Sequence, residues 1–428
     1  MKNIELENSI LSCMMLDEEC SKDCNLLSKD DFTHTTNIMI FQAIRSLVQR
    51  EKPIDYLTVY QELKQEVSIT YLSDLANSMP TTANFKEYIR QLKDLTLKRQ
   101  LSKLGQALTD KNKTGKELIE FAETEIFALS EKTTIGEFVE IKDIILDVYL
   151  DIDKRYQNDE LEGITTGYHA LDKATDGLKK KNLIYLAGRP SMGKTALAIN
   201  IAEKNVLAGN SVAIFSLEMG KEELVKRLIL GVSYINSQKI KNKELTADEW
   251  GRMLKGANAL LDKKLFIEDN TSLTVAEMTS MCRRIKRDKG LDLVIIDYLQ
   301  LISSNNSKLS RREEIDSISK NLKAMAKELD VPVIVISSLS RATEQRQNKR
   351  PVLSDLRESG QIEYDADLVM FVHREEYYNP TEENKEEAEI IIAKQRNGQL
   401  GIVKLGWLGP YTKFVDASHI ERRGSYGR

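Results

Sequence analysis

Apolar residues recur three and four positions apart through the first 130 residues. Leu6, Ile10 and Leu11 share one helical face, as do Phe41, Ile44 and Val48, so this region is predicted to be all-helical. Pro53 and Pro80 punctuate the helices. Residues 88–108 and 116–129 read as a long helical pair broken near Asn112 and Gly115. Within residues 131–162, Phe138, Ile141, Ile145, Val148 and Ile152 alternate at spacings of three and four. This predicts a helix of about 20 residues with one narrow apolar seam, set between a loop-like stretch at 133–136 and a polar one at 157–163. A helix tethered at both ends with one sticky stripe calls for a groove, on its own chain or on a neighbouring subunit.

From residue 163 to 428 the pattern changes to apolar runs separated by helical segments. Candidate strands are 183–187, 212–216, 293–296, 333–337, 368–372, 390–393 and 402–405. The alternation predicts an α/β fold, a mainly parallel twisted sheet with helices on both faces. Ligands then gather at the carboxyl ends of the strands. The last strands lack long intervening helices, so an antiparallel edge is expected.

The first of these strands runs into Gly188-Arg189-Pro190-Ser191-Met192-Gly193-Lys194-Thr195, and a helical run opens at Ala196. Strand, glycine loop and helix in that order form a phosphate-binding loop of pattern G-x-x-x-x-G-K-[ST]. Its glycines let successive N–H groups turn inward, and the helix start adds its positive dipole end. Residues 188–196 therefore form the nucleotide cradle. Lys194 is suited to the β- and γ-phosphates of ATP or another NTP, and Thr195 to Mg²⁺. A second apolar strand ends in Asp297, the natural second Mg²⁺ residue. A third is followed by Glu218, positioned to deprotonate an attacking water. Arg227, on the next helix, is the candidate for the base side, while Glu222 and Glu223 read as solvent-facing.

Composition narrows the class. The chain has 428 residues, 41% hydrophobic and 30% charged, with a net charge of −4, which suits soluble domains with charged surfaces. A mildly acidic total does not exclude nucleic acid, because a basic channel lining can bind phosphates locally. No apolar stretch is long enough to span a membrane, and the polar N-terminus is no signal peptide, so a cytoplasmic location is expected. Cys13, Cys20, Cys24 and Cys282 read as buried or free thiols rather than metal ligands.

These motifs, with 215–219, 296–301, 339–346, 354–360 and 394–398 in the second half and Pro53-Ile54-Asp55 and 71–76 in the first, resemble the DnaB family of bacterial and phage replicative DNA helicases, ring motors with a RecA-like core. The resemblance covers nearly the whole chain. It implies a homohexamer that translocates on single-stranded DNA and unwinds forked duplex, meeting a primase and a loader. It matches Arg396 to an arginine finger acting on a neighbour's nucleotide, and Lys394 to a lysine sensing the same phosphate. It matches Arg357, Glu358 and Gly360 to a DNA-binding loop, and 303–312, with Arg311 and Arg312, to a second one. It also implies that residues 1–130 form a collar and that the seam helix docks on the adjacent motor. Two departures stand out. Ser338 occupies the position of a glutamine that links nucleotide to DNA in the family, and Gln399-Leu400-Gly401 replaces the usual Pro-Thr-Gly. The competing class is a RecA-like DNA-binding ATPase, a mediator or uncoupled switch, that does not unwind.

Overall fold

Local capping chemistry sets the helices of the first unit, residues 1–141 in a computed structural model of the chain. The structure describes residues 3–50, 52–64, 66–109, part of 114–129, 140–158, 160–303, 310–356, 360–382 and 384–418. Helix α1 (Ile4–Leu16) starts at Asn3, whose side chain accepts from the Leu6 N–H at 3.0 Å. Then come α2 (Glu18–Lys22), α3 (Thr35–Gln49), α4 (Tyr56–Glu62), α5 (Ile69–Ala76) and the long α6 (Phe85–Ala107). Asp55 and Thr58 form a reciprocal capping box at the start of α4. Ile10, Leu11, Ile40, Phe41, Ile44 and Leu72 are fully buried in one core, as the three-four spacing predicts. A buried carboxylate stitches this core: Glu7 accepts from the Thr33 N–H at 2.8 Å and from Asn37 Nδ2 at 3.0 Å. Bonds of this kind offset the cost of burying the charge.

The second unit, 142–428, opens within the seam helix α7, which runs from Ile141 to Asn158. Phe138 and the 133–136 loop lie outside the described residues. The apolar surface of α7 is broader than a seam, because Ile144, Leu146, Tyr149 and Leu150 are exposed along with Ile141, Ile145, Val148 and Ile152.

The motor is built on a nine-stranded sheet in the order β3-β2-β4-β5-β1-β6-β7-β8-β9. Its strands are β1 (Leu183–Gly188), β2 (Val212–Ser216), β3 (Leu265–Glu268), β4 (Leu293–Asp297), β5 (Val333–Ser338), β6 (Leu368–His373), β7 (Glu387–Gln395), β8 (Gly401–Leu408) and β9 (Lys413–Asp416). The first six are parallel and the last three antiparallel. Strand β1 is buried throughout. Successive residues point to opposite faces, so Ile184 and Leu186 enter one core and Leu183, Tyr185 and Ala187 the other. Helix α9 (Lys194–Leu207), numbered after α8 (His169–Thr175), covers the first face. Helices α13 (Val275–Lys289) and α14 (Arg311–Leu329) cover the second. Between β2 and β3 lie α10 (Lys221–Ser233), α11 (Ser237–Lys241) and α12 (Ala247–Leu261).

All seven expected strands form. Two more, β3 and β9, were not expected. Each has four residues and pairs on one side only, so the apolar signal is weak. A short helix α15 (Gly360–Asp365) precedes β6.

Candidate functional site

Parallel pairing lines up the ends of β1, β2, β4, β5 and β6 on one edge of the sheet, bringing Gly188, Ser216, Asp297, Ser338 and His373 to it. Two glycines are essential at the loop that leaves β1. A Cβ on Gly188 would meet the Val372 carbonyl at 2.9 Å, so the strand admits only glycine there. Gly193 has φ +100°, a backbone costly for any L side chain. A Cβ there would touch the Phe414 ring at 3.0 Å. Met192 and Ala196 are buried and anchor the loop from below, while Pro190 and Ser191 face outward.

Lys194 Nζ donates to the Arg189 carbonyl at 3.2 Å, and burial holds its ammonium below the usual lysine range. Thr195 Oγ1 donates to Asp297 Oδ2 at 2.8 Å. Asp297 is 5% exposed. Burial pushes its carboxyl up against the lowering effect of Thr195, and the nearby Glu218 charge adds to the rise. Its Oδ1 is buried without a hydrogen-bond partner among the described residues. A hydroxyl beside a carboxylate with a spare, desolvated oxygen fits a hard divalent cation such as Mg²⁺.

The Leu217 N–H donates to the Asp297 carbonyl at 2.7 Å, so the β2 exit is tied to the β4 exit and Glu218 follows at once, exposed at the site's mouth. Arg227 pairs with Glu223 at 3.3 Å on α10. Its charge favours the Asp297 carboxylate. Glu222 and Glu223 are exposed as expected.

Sequence reasoning missed the floor of the loop. Trp407 and Phe414 pair across β8 and β9 with ring centroids 4.7 Å apart. The Arg374 guanidinium lies 4.9 Å from the Trp407 ring, and its Nε is buried without a partner among the described residues. Next to this floor Lys413 and Glu203 form a buried ion pair at 2.7 Å, joining β9 to α9. The available signal was a tryptophan and a phenylalanine just beyond the last expected strand, and it says nothing about a phosphate loop more than 200 residues away.

Lys394 and Arg396 stand elsewhere. Strand β7 runs antiparallel to β6, and Gln395 aligns with Leu368 and through it with Ile184, at the edge of the sheet opposite the phosphate loop. Lys394 Nζ donates to the carbonyls of Glu363 and Tyr364. Arg396 donates to the Tyr364 carbonyl at 2.8 Å and lies 3.5 Å from Asp367. Both thus satisfy free carbonyls at the end of α15. Burial, and Arg396 beside it, hold the Lys394 ammonium below its usual value.

Arg311 and Arg312 open α14 and are exposed. Arg311 donates to the Gln300 carbonyl at 2.7 Å and pairs with Glu314. Gly360 opens α15. Arg357, Glu358 and most of the 303–312 loop lie outside the described residues.

The fold and the loop define a RecA-like P-loop NTPase motor behind a helical N-terminal domain. The DnaB-like helicase C terminal domain matches residues 163–416, and the DnaB-like helicase N terminal domain matches residues 1–94. The chain belongs to this family of replicative DNA helicases, which are NTP-hydrolysing enzymes. It is 40% identical to the replicative DNA helicase DnaB of Geobacillus stearothermophilus over 99% of this chain and 95% of that protein. It is likewise 40% identical to the replicative DNA helicase DnaC of Bacillus subtilis, with the same coverage of both. A solved DnaB-like replicative helicase, described with its interactions with primase, superposes with a TM-score of 0.81 at 34% identity, covering 96% of this chain and 99% of that one. A second solved structure, that of an ATPase domain alone, gives 0.63 at 41% identity over 65% of this chain and 99% of its own.

Proposed function

We propose that the chain assembles as a homohexameric ring that hydrolyses ATP with Mg²⁺, moves along one DNA strand and peels the other away at a fork. The observation that carries this reading is the separation of Lys394 and Arg396 from the phosphate loop of their own chain. Two cations at the far edge of the sheet are placed to complete a nucleotide site on a neighbour, and such a head-to-tail interface forms a ring where the rotation between subunits closes.

In this reading the backbone of residues 188–196 and Lys194 hold the phosphates, and Thr195 and Asp297 hold the cation. Mg²⁺ neutralises developing phosphate charge when bound. Glu218 orients the attacking water and takes its proton. Arg227 lies toward the base, and a neighbour's Arg396 and Lys394 leave the α15 carbonyls to meet transition-state charge. Arg357, Glu358 and Gly360 contact the DNA backbone, with Arg311 and Arg312 on the second loop. Movement is 5′ to 3′, the location is cytoplasmic, and the N-terminal collar meets a primase while a loader opens the ring. No helix among the described residues is long and apolar enough to cross a membrane.

Helix α7 supplies the second assembly contact. A groove of about 550 Å³ on the motor is lined by Val225, Ile229, Leu230, Met253, Leu265 and Ile267, with Lys221, Glu222 and Lys226 also in its wall. The exposed apolar residues of α7 match its apolar lining, and we assign the groove to a neighbour's α7.

The test is ATP-dependent strand separation on a forked duplex with a 5′ tail, with Glu218→Gln as control. Wild-type unwinding that the variant lacks supports the motor and its base together. Hydrolysis and DNA binding with the fork still paired would favour the uncoupled ATPase instead.

A further inference from the structure

Ser338 ends β5 directly beside Gly188 of the phosphate loop, and a short hydroxyl replaces the long amide expected of the family there. A different side chain spans the gap. Arg189, second in the phosphate loop and only 14% exposed, turns its guanidinium to Glu344. Its Nε donates to Glu344 Oε1 at 3.1 Å, its Nη2 donates to the same oxygen, and its Nη1 donates to the Leu339 carbonyl at 3.4 Å. The Arg189 carbonyl is the one that accepts from Lys194.

The segment that Glu344 belongs to is tied in turn to the residues leading into the proposed DNA loop. Thr343 is fully buried. Leu339 bridges Leu356, the Ser340 N–H donates to the Asp355 carbonyl at 2.9 Å, and Arg346 pairs with the buried Asp355 carboxylate. The residues that the family resemblance assigns to DNA begin at the next position after Leu356.

We infer that Glu344 is a positioning residue that transmits the state of the phosphate loop to the DNA-binding segment, through Arg189 on one side and the 339–346 to 353–356 contacts on the other. This rests on the helicase reading above. The geometry favours a relay over a local brace, because the ion pair and the Arg189–Leu339 bond tie the phosphate loop to the one segment that also contacts residues 353–356. A phosphate-driven shift of Arg189 must either move Glu344 or break a charged, partly desolvated bond.

Glu344→Gln keeps the shape and removes the charge at a half-exposed position, so folding is retained. Three quantities are read on the full-length protein: ATPase without DNA, its stimulation by an oligothymidine strand, and affinity for that strand with and without a non-hydrolysable ATP analogue. The relay predicts unchanged DNA-free hydrolysis, lost stimulation, and a fall of about tenfold in the ratio of the two affinities, within the usual range of coupling between sites. Ser338→Gln added to Glu344→Gln restores part of the stimulation, which a merely structural defect would not allow. Unaltered stimulation in Glu344→Gln, or DNA-free hydrolysis falling while the stimulation ratio holds, overturns the inference. A wild-type protein whose hydrolysis ignores DNA overturns the helicase reading, and the relay with it.

Discussion

Mixing two inactive variants tests the shared site most directly. Lys394 is level with Val369 and so with Tyr185. The loop leaves β1 at Gly188, three positions further along. At about 3.3 Å per residue that is about 10 Å along the strand, and two strand spacings add about 10 Å across, so the backbone of Lys394 lies about 14 Å from the base of its own phosphate loop. Arg396, beyond the end of β7, is further still. Removing an arginine finger costs on the order of 10³-fold in turnover or more, so Arg396→Ala and Lys194→Ala should each be inactive alone. In an equal mixture of freely exchanging subunits, a head-to-tail interface joins an intact Lys194 to a neighbour's intact Arg396 about a quarter of the time. DNA-free ATPase should therefore recover to about a quarter of wild type. Subunits carrying two different tags, co-purified after exchange, establish that mixing occurred. Activity no greater than the sum of the two variants, with mixing established, refutes action in trans, as does an Arg396→Ala protein that hydrolyses ATP normally.

Two further outcomes follow from buried charge. Lys413→Met strands the Glu203 carboxylate, whose pair is 6% and 5% exposed; urea unfolding should show a loss of about 3–5 kcal/mol. Adding Glu203→Gln removes the stranded charge and should recover part of that loss. For Asp297, a folded-state pKa raised by burial means the native protein holds its proton to higher pH than the unfolded chain does. Nucleotide-free stability from this group is therefore greatest at acid pH and is lost as pH rises through the raised value. Asp297→Asn abolishes that loss: its melting temperature should exceed wild type at neutral pH, the gap should close on acidification, and ATPase should be absent. A neutral-pH melting temperature below wild type would contradict this assignment.

What was readable in the sequence was what is local. The phosphate loop, with its strand and helix, occupies one contiguous stretch, and Asp297 and Glu218 sit at the ends of long apolar runs whose burial on both faces fixes them as central strands. The cysteines also read correctly as buried thiols, and burial pushes Cys282 up to about 12. Edge strands β3 and β9 escaped because a strand paired on one side needs little apolar sequence. The Trp407–Phe414 floor and the Lys413–Glu203 pair escaped because their partners on the phosphate side lie some 200 residues upstream, beyond the reach of periodicity. The α7 helix was legible, but its apolar surface is wider than spacing alone implied, since residues off the main stripe are also hydrophobic.

The opposition of the two sheet edges has a consequence for how the motor would work. The phosphate loop, Asp297, Ser338 and the 339–346 segment all leave the same edge, so within one subunit the nucleotide state and the proposed DNA loop are joined by a few side chains. Lys394 and Arg396 leave the other edge, and in a ring they would report a neighbour's nucleotide. Their present contacts are to the carbonyls of α15, the helix that opens at Gly360 and so directly follows the proposed DNA loop. A neighbour's γ-phosphate competing for both Arg396 and Lys394 would take away the cations that cap this helix and free its last carbonyls. Binding in one site would thereby loosen the base of the DNA loop in the subunit that supplies the finger. On this reading the order of firing around the ring follows from one antiparallel strand, because β7 turns the finger away from its own nucleotide and sets it against the helix behind its own DNA loop.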